Sequence, residues 1–242
     1  MQIPKKTWDN YIKQLSSLNY AAGALMEDYV ERNGIGNKKA LTDYAYYVVQ
    51  KYGNGSAALS AAMYDALAAI EGAEVAPAVM ADLPEYEEVA KTVYGTLKTS
   101  QNPSEIGGAT SRLVKRMGAD TTLKNAKRDG AQFAWVPAGD TCAFCLTLAS
   151  NGWQYMSKEA MKGGHAEHIH ANCDCTYAVR FDNSTTVAGY DPQKYKDMYD
   201  DAEGKKPEDK INSIRRMQYE ENKDRINAQK RAAYAERQEN IE

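Results

Sequence analysis

CAFCLTLASNG, residues 142–152, and HAEHIHANCDC, residues 165–175, hold all four cysteines and all three histidines of the 242-residue chain. Thiolates and imidazoles gathered in this way are ligands for a soft or borderline cation. The C-x-x-C spacing sets Cys142 and Cys145 one helical turn apart, and HANCDC offers His170, Cys173 and Cys175 within six residues. Together they are five candidates for a tetrahedral ion that takes four, and Zn2+ is the natural occupant. Spacing alone does not choose between four cysteines and three cysteines with His170. The stretch joining the two halves is longer than in a typical zinc ribbon, so residues 153–164 form an excursion of their own, a strand and then a short helix from Ser157.

Working outward, FAWVP ends a strand, PAGD is a tight turn and TYAVRF is strand-like. Asp140 or Thr141 is placed to cap the helix through CAFCLTLAS, which Asn151 and Gly152 end. On its first turn the exposed N–H groups favour thiolate over thiol at Cys142 and Cys145. Two structural disulfides suit an oxidising compartment, and a thioredoxin-like pair needs a βαβ context that the sequence lacks. His165-Ala166-Glu167 resembles the H-x-E of zinc nucleobase deaminases, but there that motif precedes the C-x-x-C and a proline stands where this chain has Thr141. His165 and His168 read as polar loop residues.

Before this module the sequence is helical. Trp8, Ile12, Leu15, Leu18, Ala22, Leu25, Met26 and Tyr29 recur at three- and four-residue steps, and NGIGN at residues 33–37 ends the stripe. A second helix is expected from about Lys38 to Gln50, broken by YGNG, and an alanine-rich third from Ser56 to Glu71. Leu83 opens another, with Pro84 in its first turn and an end near Ser100, and Asn102-Pro103 opens the next. That segment carries Arg112, Lys115, Arg116, Lys124, Lys127 and Arg128, spread around the helix and interrupted by Asp120 and Asp129, which reads as a solvated surface rather than a phosphate-contacting face. After the module, YDPQKYKDMYDDA gives a short helix, and residues 211–242 a long charged one whose apolar residues are too sparse for a heptad.

A hydrophobic content of 43% suffices for a core, and the formal net charge of −3 argues against a surface built to clamp a polyanion. The first residues lack the apolar run of a secretory signal, and no segment approaches the length of a membrane span. The expected fold class is mainly α: a helical N-terminal region (1–130), a small zinc-stapled α+β module (131–185) and an extended, charged C-terminal helical arm (186–242).

The ordered set Val136-Pro137, G-D-x-C-x-x-C, L-A-S-N-G, an aromatic pair and H-x-N-C-D-C resembles the minor capsid and head-morphogenesis proteins of tailed bacteriophages, in the broad MuF-like group. The resemblance covers about Lys124 to Phe181 in specific motifs and the flanking helices more loosely. It implies a virion protein made in the host cytoplasm and located inside the capsid or near the portal. Capsid or portal protein is then its partner, with contact to packaged DNA as a further expectation and none to a membrane. No nucleophile, base and oxyanion set is present, so a non-enzymatic role is expected. A zinc-dependent hydrolase or deaminase using Glu167, and a nucleic-acid-binding zinc protein, are the alternatives.

Overall fold

In the computed structural model, residues 1–139, 141–156 and 174–239 are described, the last seven as backbone alone. They are 69% helix, in seven helices with short strands. Helix α1 (Lys5–Asn33) follows a two-residue strand β1 (Gln2–Ile3) and buries Trp8, Tyr11, Leu15, Asn19, Ala22, Met26 and Val30 on one stripe. Gly34, at φ +67°, stops it. Asn37 then caps α2 (Lys38–Glu71), its side chain accepting from the Ala40 N–H at 3.1 Å.

α2 is one helix of 34 residues, not the expected pair broken at YGNG. The glycines there serve close packing rather than chain reversal. A Cβ on Gly53 would lie 3.1 Å from Met117 Cγ and 3.3 Å from Leu83 Cδ2, and one on Gly55 would lie 3.3 Å from Leu18 Cδ1. Neighbouring helices fill the space that side chains would need, and their packing outweighs the helix-weakening propensity of glycine.

Residues 73–85 follow as an extended strap, and α3 (Tyr86–Thr99) begins later than Leu83 because side chains hold the strap off the helical conformation. The Ala78 N–H donates to Asp65 (2.7 Å), the Asn125 amide grips both the N–H and the carbonyl of Val79 (2.9 Å each), and the Ala81 N–H donates to Thr121 (3.0 Å). Asn102 caps α4 (Pro103–Asp129) and Pro103 is its first residue, as expected.

α4 is the central helix rather than a solvated one. Its backbone meets α1 at Gly107, where a Cβ would lie 2.7 Å from the Gly23 carbonyl oxygen. It meets α2 at Gly118, where a Cβ would lie 2.7 Å from both Ser56 Oγ and Ser60 Oγ. Its cations are largely committed to structure. Lys115 is buried, Arg116 pairs with Glu88 and Asp120, Lys124 donates to the Met80 carbonyl, and Arg128 binds Asp129 and the Ala76 and Pro77 carbonyls of the strap.

The chain then forms β2 (Gln132–Val136), helix α5 (Ala143–Ala149), β3 (Gln154–Tyr155) and β4 (Thr176–Arg180), giving an antiparallel sheet in the order β3-β2-β4. β2 pairs with β4 from Gln132↔Arg180 to Val136↔Thr176. α2 and α4 cover β4 while α5 lies on β2, so both strands are apolar nearly throughout. Tyr64, Leu67 and Leu123 of the helices share one core with Phe133, Trp135, Tyr177 and Val179 of the sheet. Glu71, at the end of α2, accepts the Phe181 and Asp182 N–H groups at 2.8 and 3.0 Å. Strand β5 (Thr186–Val187) pairs in parallel with β1, tying the chain start to the segment after β4.

α6 (Pro192–Asp201) and α7 (Pro207–Glu239) complete the described chain. Sparse as its apolar residues are, the charged arm is anchored by its first turns. Ile214 is fully buried with Ala143 and Ala202, and Ile211 packs against them. Lys210 Nζ caps α6 through the Tyr199 and Ala202 carbonyls (2.7 and 3.1 Å). Beyond these turns α7 projects with its side chains largely exposed as far as residue 232. Among the described residues, no helix is long and apolar enough to cross a membrane.

Candidate metal centre

The β2–α5 connection and the approach to β4 carry the cysteines. Gly139, at φ +62°, turns the chain after Pro137 as the PAGD motif requires. Cys142 itself occupies the N-cap of α5, with no side-chain cap bond and its carbonyl accepting from the Leu146 N–H at 3.1 Å. The expected cap from Thr141 does not form. Its hydroxyl instead donates back to the Ala138 and Gly139 carbonyls, 3.3 Å from each, because the turn holds it on the inner side. Asp140 lies outside the described residues. N-cap and third helical position are the pair whose side chains meet across a helix start, so Cys142 and Cys145 share the same end of α5.

Cys175 arrives from the other side. The ladder ends at Val136↔Thr176, which sets Cys175 across from the start of the turn. Its Sγ is 3.8 Å from Thr141 Oγ1 and 4.0 Å from the Ala138 carbonyl oxygen. Cys145 and Cys175 are buried and Cys142 is half-buried, all in the core shared by helices and sheet. Tyr177, on β4, is buried in the same core. Burial first, then the nearness of Asp120 and Cys145, pushes its hydroxyl well above the usual tyrosine range, so it stays neutral. The Tyr195 hydroxyl is raised by burial and then by the nearness of Cys175.

Cys142 and Cys145 thus stand at the start of α5 and Cys175 beside Thr141, in one core and with donor types that suit zinc. Among the described residues, no three Cys, His, Asp or Glu side chains form a group compact enough to hold a metal ion. The remaining candidates, His170 and Cys173, lie outside the described residues, as do His165, Glu167, His168 and the helix expected from Ser157. Sequence reading did not find the role of α7. Gln218 Nε2 donates to the Thr141 carbonyl at 2.7 Å, bracing the residue that precedes Cys142. No local pattern reveals a contact made across so many residues.

Comparison with curated proteins gives no match, and comparison with solved structures gives none. One family model does match, described as VG15 protein, over residues 2–202, from β1 to the end of α6. A match over most of the chain settles membership: this protein belongs to the VG15 family of phage proteins.

Proposed function

We propose that this phage protein is a non-enzymatic component of the virion head, a minor capsid or head-morphogenesis protein whose cysteine turn is stapled by one structural zinc ion. What supports the reading is that Cys142 and Cys145 at the start of α5 and Cys175 beside Thr141 belong to one core, next to the segment that carries the other candidate ligands. Cys142, Cys145 and Cys175 would hold the metal with Cys173 or His170 as the fourth ligand. A closed four-ligand site leaves no position for water and supplies folding energy rather than chemistry. What this chain's own residues do is bury the thiols, fix the turn at Gly139 and brace Thr141 from α7. In this reading residues 1–130 are the helical body, 131–185 the stapled module and 186–242 the arm that meets capsid or portal protein.

The nucleic-acid reading draws little support from α4. Arg116, Lys124 and Arg128 are engaged with carboxylates and strap carbonyls, and Lys115 is buried, so the helix offers few cations to phosphates. Quantitative mass spectrometry of purified virions tests the assignment: the protein is expected at low copy number inside DNA-filled heads. Glu167→Gln is expected to give normal heads and infectivity. A protein missing from virions, or infectivity lost in that variant with folding and zinc content intact, would sink the reading.

A further inference from the structure

Between α6, α7 and the turn after β2 lies a groove of about 600 Å3. Lys194 and Tyr195 of α6 line it together with Arg215, Tyr219 and Arg225, which fall on one stripe of α7. Its charge is sorted. α6 carries Asp197, Asp200 and Asp201, and α7 carries Glu208, Asp209, Glu220, Glu221 and Asp224, yet among the described residues no Asp or Glu lines the groove. Neighbouring cations outside the groove are matched by carboxylates: Lys196 with Asp200, Arg216 with Glu203 and Lys223 with Glu220. Lys194 and Arg215, inside it, have no carboxylate partner among the described residues.

Two asparagines aim the arginines. Arg215 Nη1 donates to Asn212 Oδ1 at 2.7 Å and Arg225 Nη2 to Asn222 Oδ1 at 3.2 Å, each reaching back toward the helix start. Both guanidiniums therefore lean the same way, and their separation in sequence keeps them about 15 Å apart along the helix axis. One phosphate group does not span that distance, whereas a nucleic-acid strand presents a phosphate about every 3.4 Å of its length. Tyr219, 41% exposed, stands between the two arginines on the stripe and offers a ring face to a base. An acidic peptide would engage the cations and leave that ring unused.

We infer that the α6–α7 groove binds a short single-stranded stretch of nucleic acid, its phosphates on Lys194, Arg215 and Arg225 and a base stacked on Tyr219. The groove is separate from α4, whose cations serve the fold, and the inference does not rest on the zinc or virion assignment.

Fluorescence anisotropy of the full chain with labelled hexathymidylate tests it, with a hexaglutamate peptide and a short duplex as competitors. Saturable one-to-one binding is expected, weakening with salt at a log–log slope of about −2, as three phosphate contacts on a single strand require. Lys194→Gln and Arg215→Gln are each expected to weaken binding about fivefold and to shrink that slope by about 0.7. Tyr219→Ala is expected to weaken it about tenfold with the slope unchanged, because stacking releases no counterions. Arg216→Gln, which removes a cation outside the groove, is expected to leave affinity within about twofold of wild type. Absence of saturable binding up to about 1 mM in low salt, or equal binding by the Lys194→Gln, Arg215→Gln double variant with an unchanged melting profile, overturns the proposal. So does better competition by hexaglutamate or by the duplex than by unlabelled hexathymidylate, which assigns the groove to an acidic protein or to duplex DNA.

Discussion

Three glycine-to-alanine substitutions in two helices separate packing from propensity in this fold. Gly95, in α3, faces open space, with nothing within 4 Å of an added Cβ, so Gly95→Ala gains helix propensity and is expected to stabilise by about 0.5–1 kcal/mol. At Gly118 the new methyl would lie 2.7 Å from two serine hydroxyls and 3.3 Å from the Ser56 carbonyl oxygen. The hydroxyls turn away at the cost of their packing, so overpacking exceeds the propensity gain and Gly118→Ala loses about 1 kcal/mol. At Gly107 the obstacle at 2.7 Å is the Gly23 carbonyl oxygen, which moves only if α1 moves, and Gly107→Ala loses about 2 kcal/mol. Urea denaturation followed by circular dichroism gives the three values, with a melting shift of about 2–4 °C per kcal/mol as a check. The expected order of stability is Gly95→Ala, wild type, Gly118→Ala, Gly107→Ala. A Gly107→Ala protein as stable as wild type would refute the backbone contact between α1 and α4.

Further outcomes follow from burial and charge. Burial raises the Glu71 carboxyl above its ordinary value of 4.5, so the folded state holds a proton there that the unfolded chain releases. Its stability contribution is complete below that value and declines as pH rises through the folded one. Glu71→Gln should flatten this decline in urea midpoints measured between about pH 4.5 and 7, and an unchanged slope would show that Glu71 is not its source. Asp129 behaves oppositely. Its hydrogen bond from Arg128, and then that from Tyr64, lower its carboxyl below 3.8, so its contribution is present above that value and lost as pH falls. In α7, amide hydrogens of residues 211–218 should exchange slowly and those beyond 226 quickly in the isolated protein, and Ile214→Ala should release the whole arm; uniform fast exchange in wild type would contradict the docking. Chelation should expose amides of α5 and β4 before those of α1, whose stripe has its own partners, and simultaneous loss in all three would place the metal's effect on the whole fold.

The sequence made much of this legible where a residue acts on its own neighbourhood. Asn102-Pro103 starts a helix because cap and fixed φ are local properties, and FAWVP and TYAVRF are strands because apolar residues run through both. It misled where a residue serves a distant one. Gly53 and Gly55 read as a break, but Met117, Leu83 and Leu18 occupy their missing side-chain space. The strap of residues 73–85 has no signature of its own, since Asp65, Thr121, Asn125 and Arg128 hold it. Strands β1 and β5, two residues each, are too short for any period to show. The cysteine set was legible as chemistry, but the approach of Cys175 to Thr141 and the brace from Gln218 depend on strand register and a distant helix. The α6–α7 groove joins Lys194 and Tyr195 to Arg215, Tyr219 and Arg225, which only folding sets beside them.

Metal content is the most direct test of the central claim. Elemental analysis of protein purified under reducing, metal-sparing conditions is expected to find one zinc per chain, kept in Glu167→Gln and lost in Cys145→Ser and Cys175→Ser. A well-folded wild-type protein with no bound metal would contradict the account.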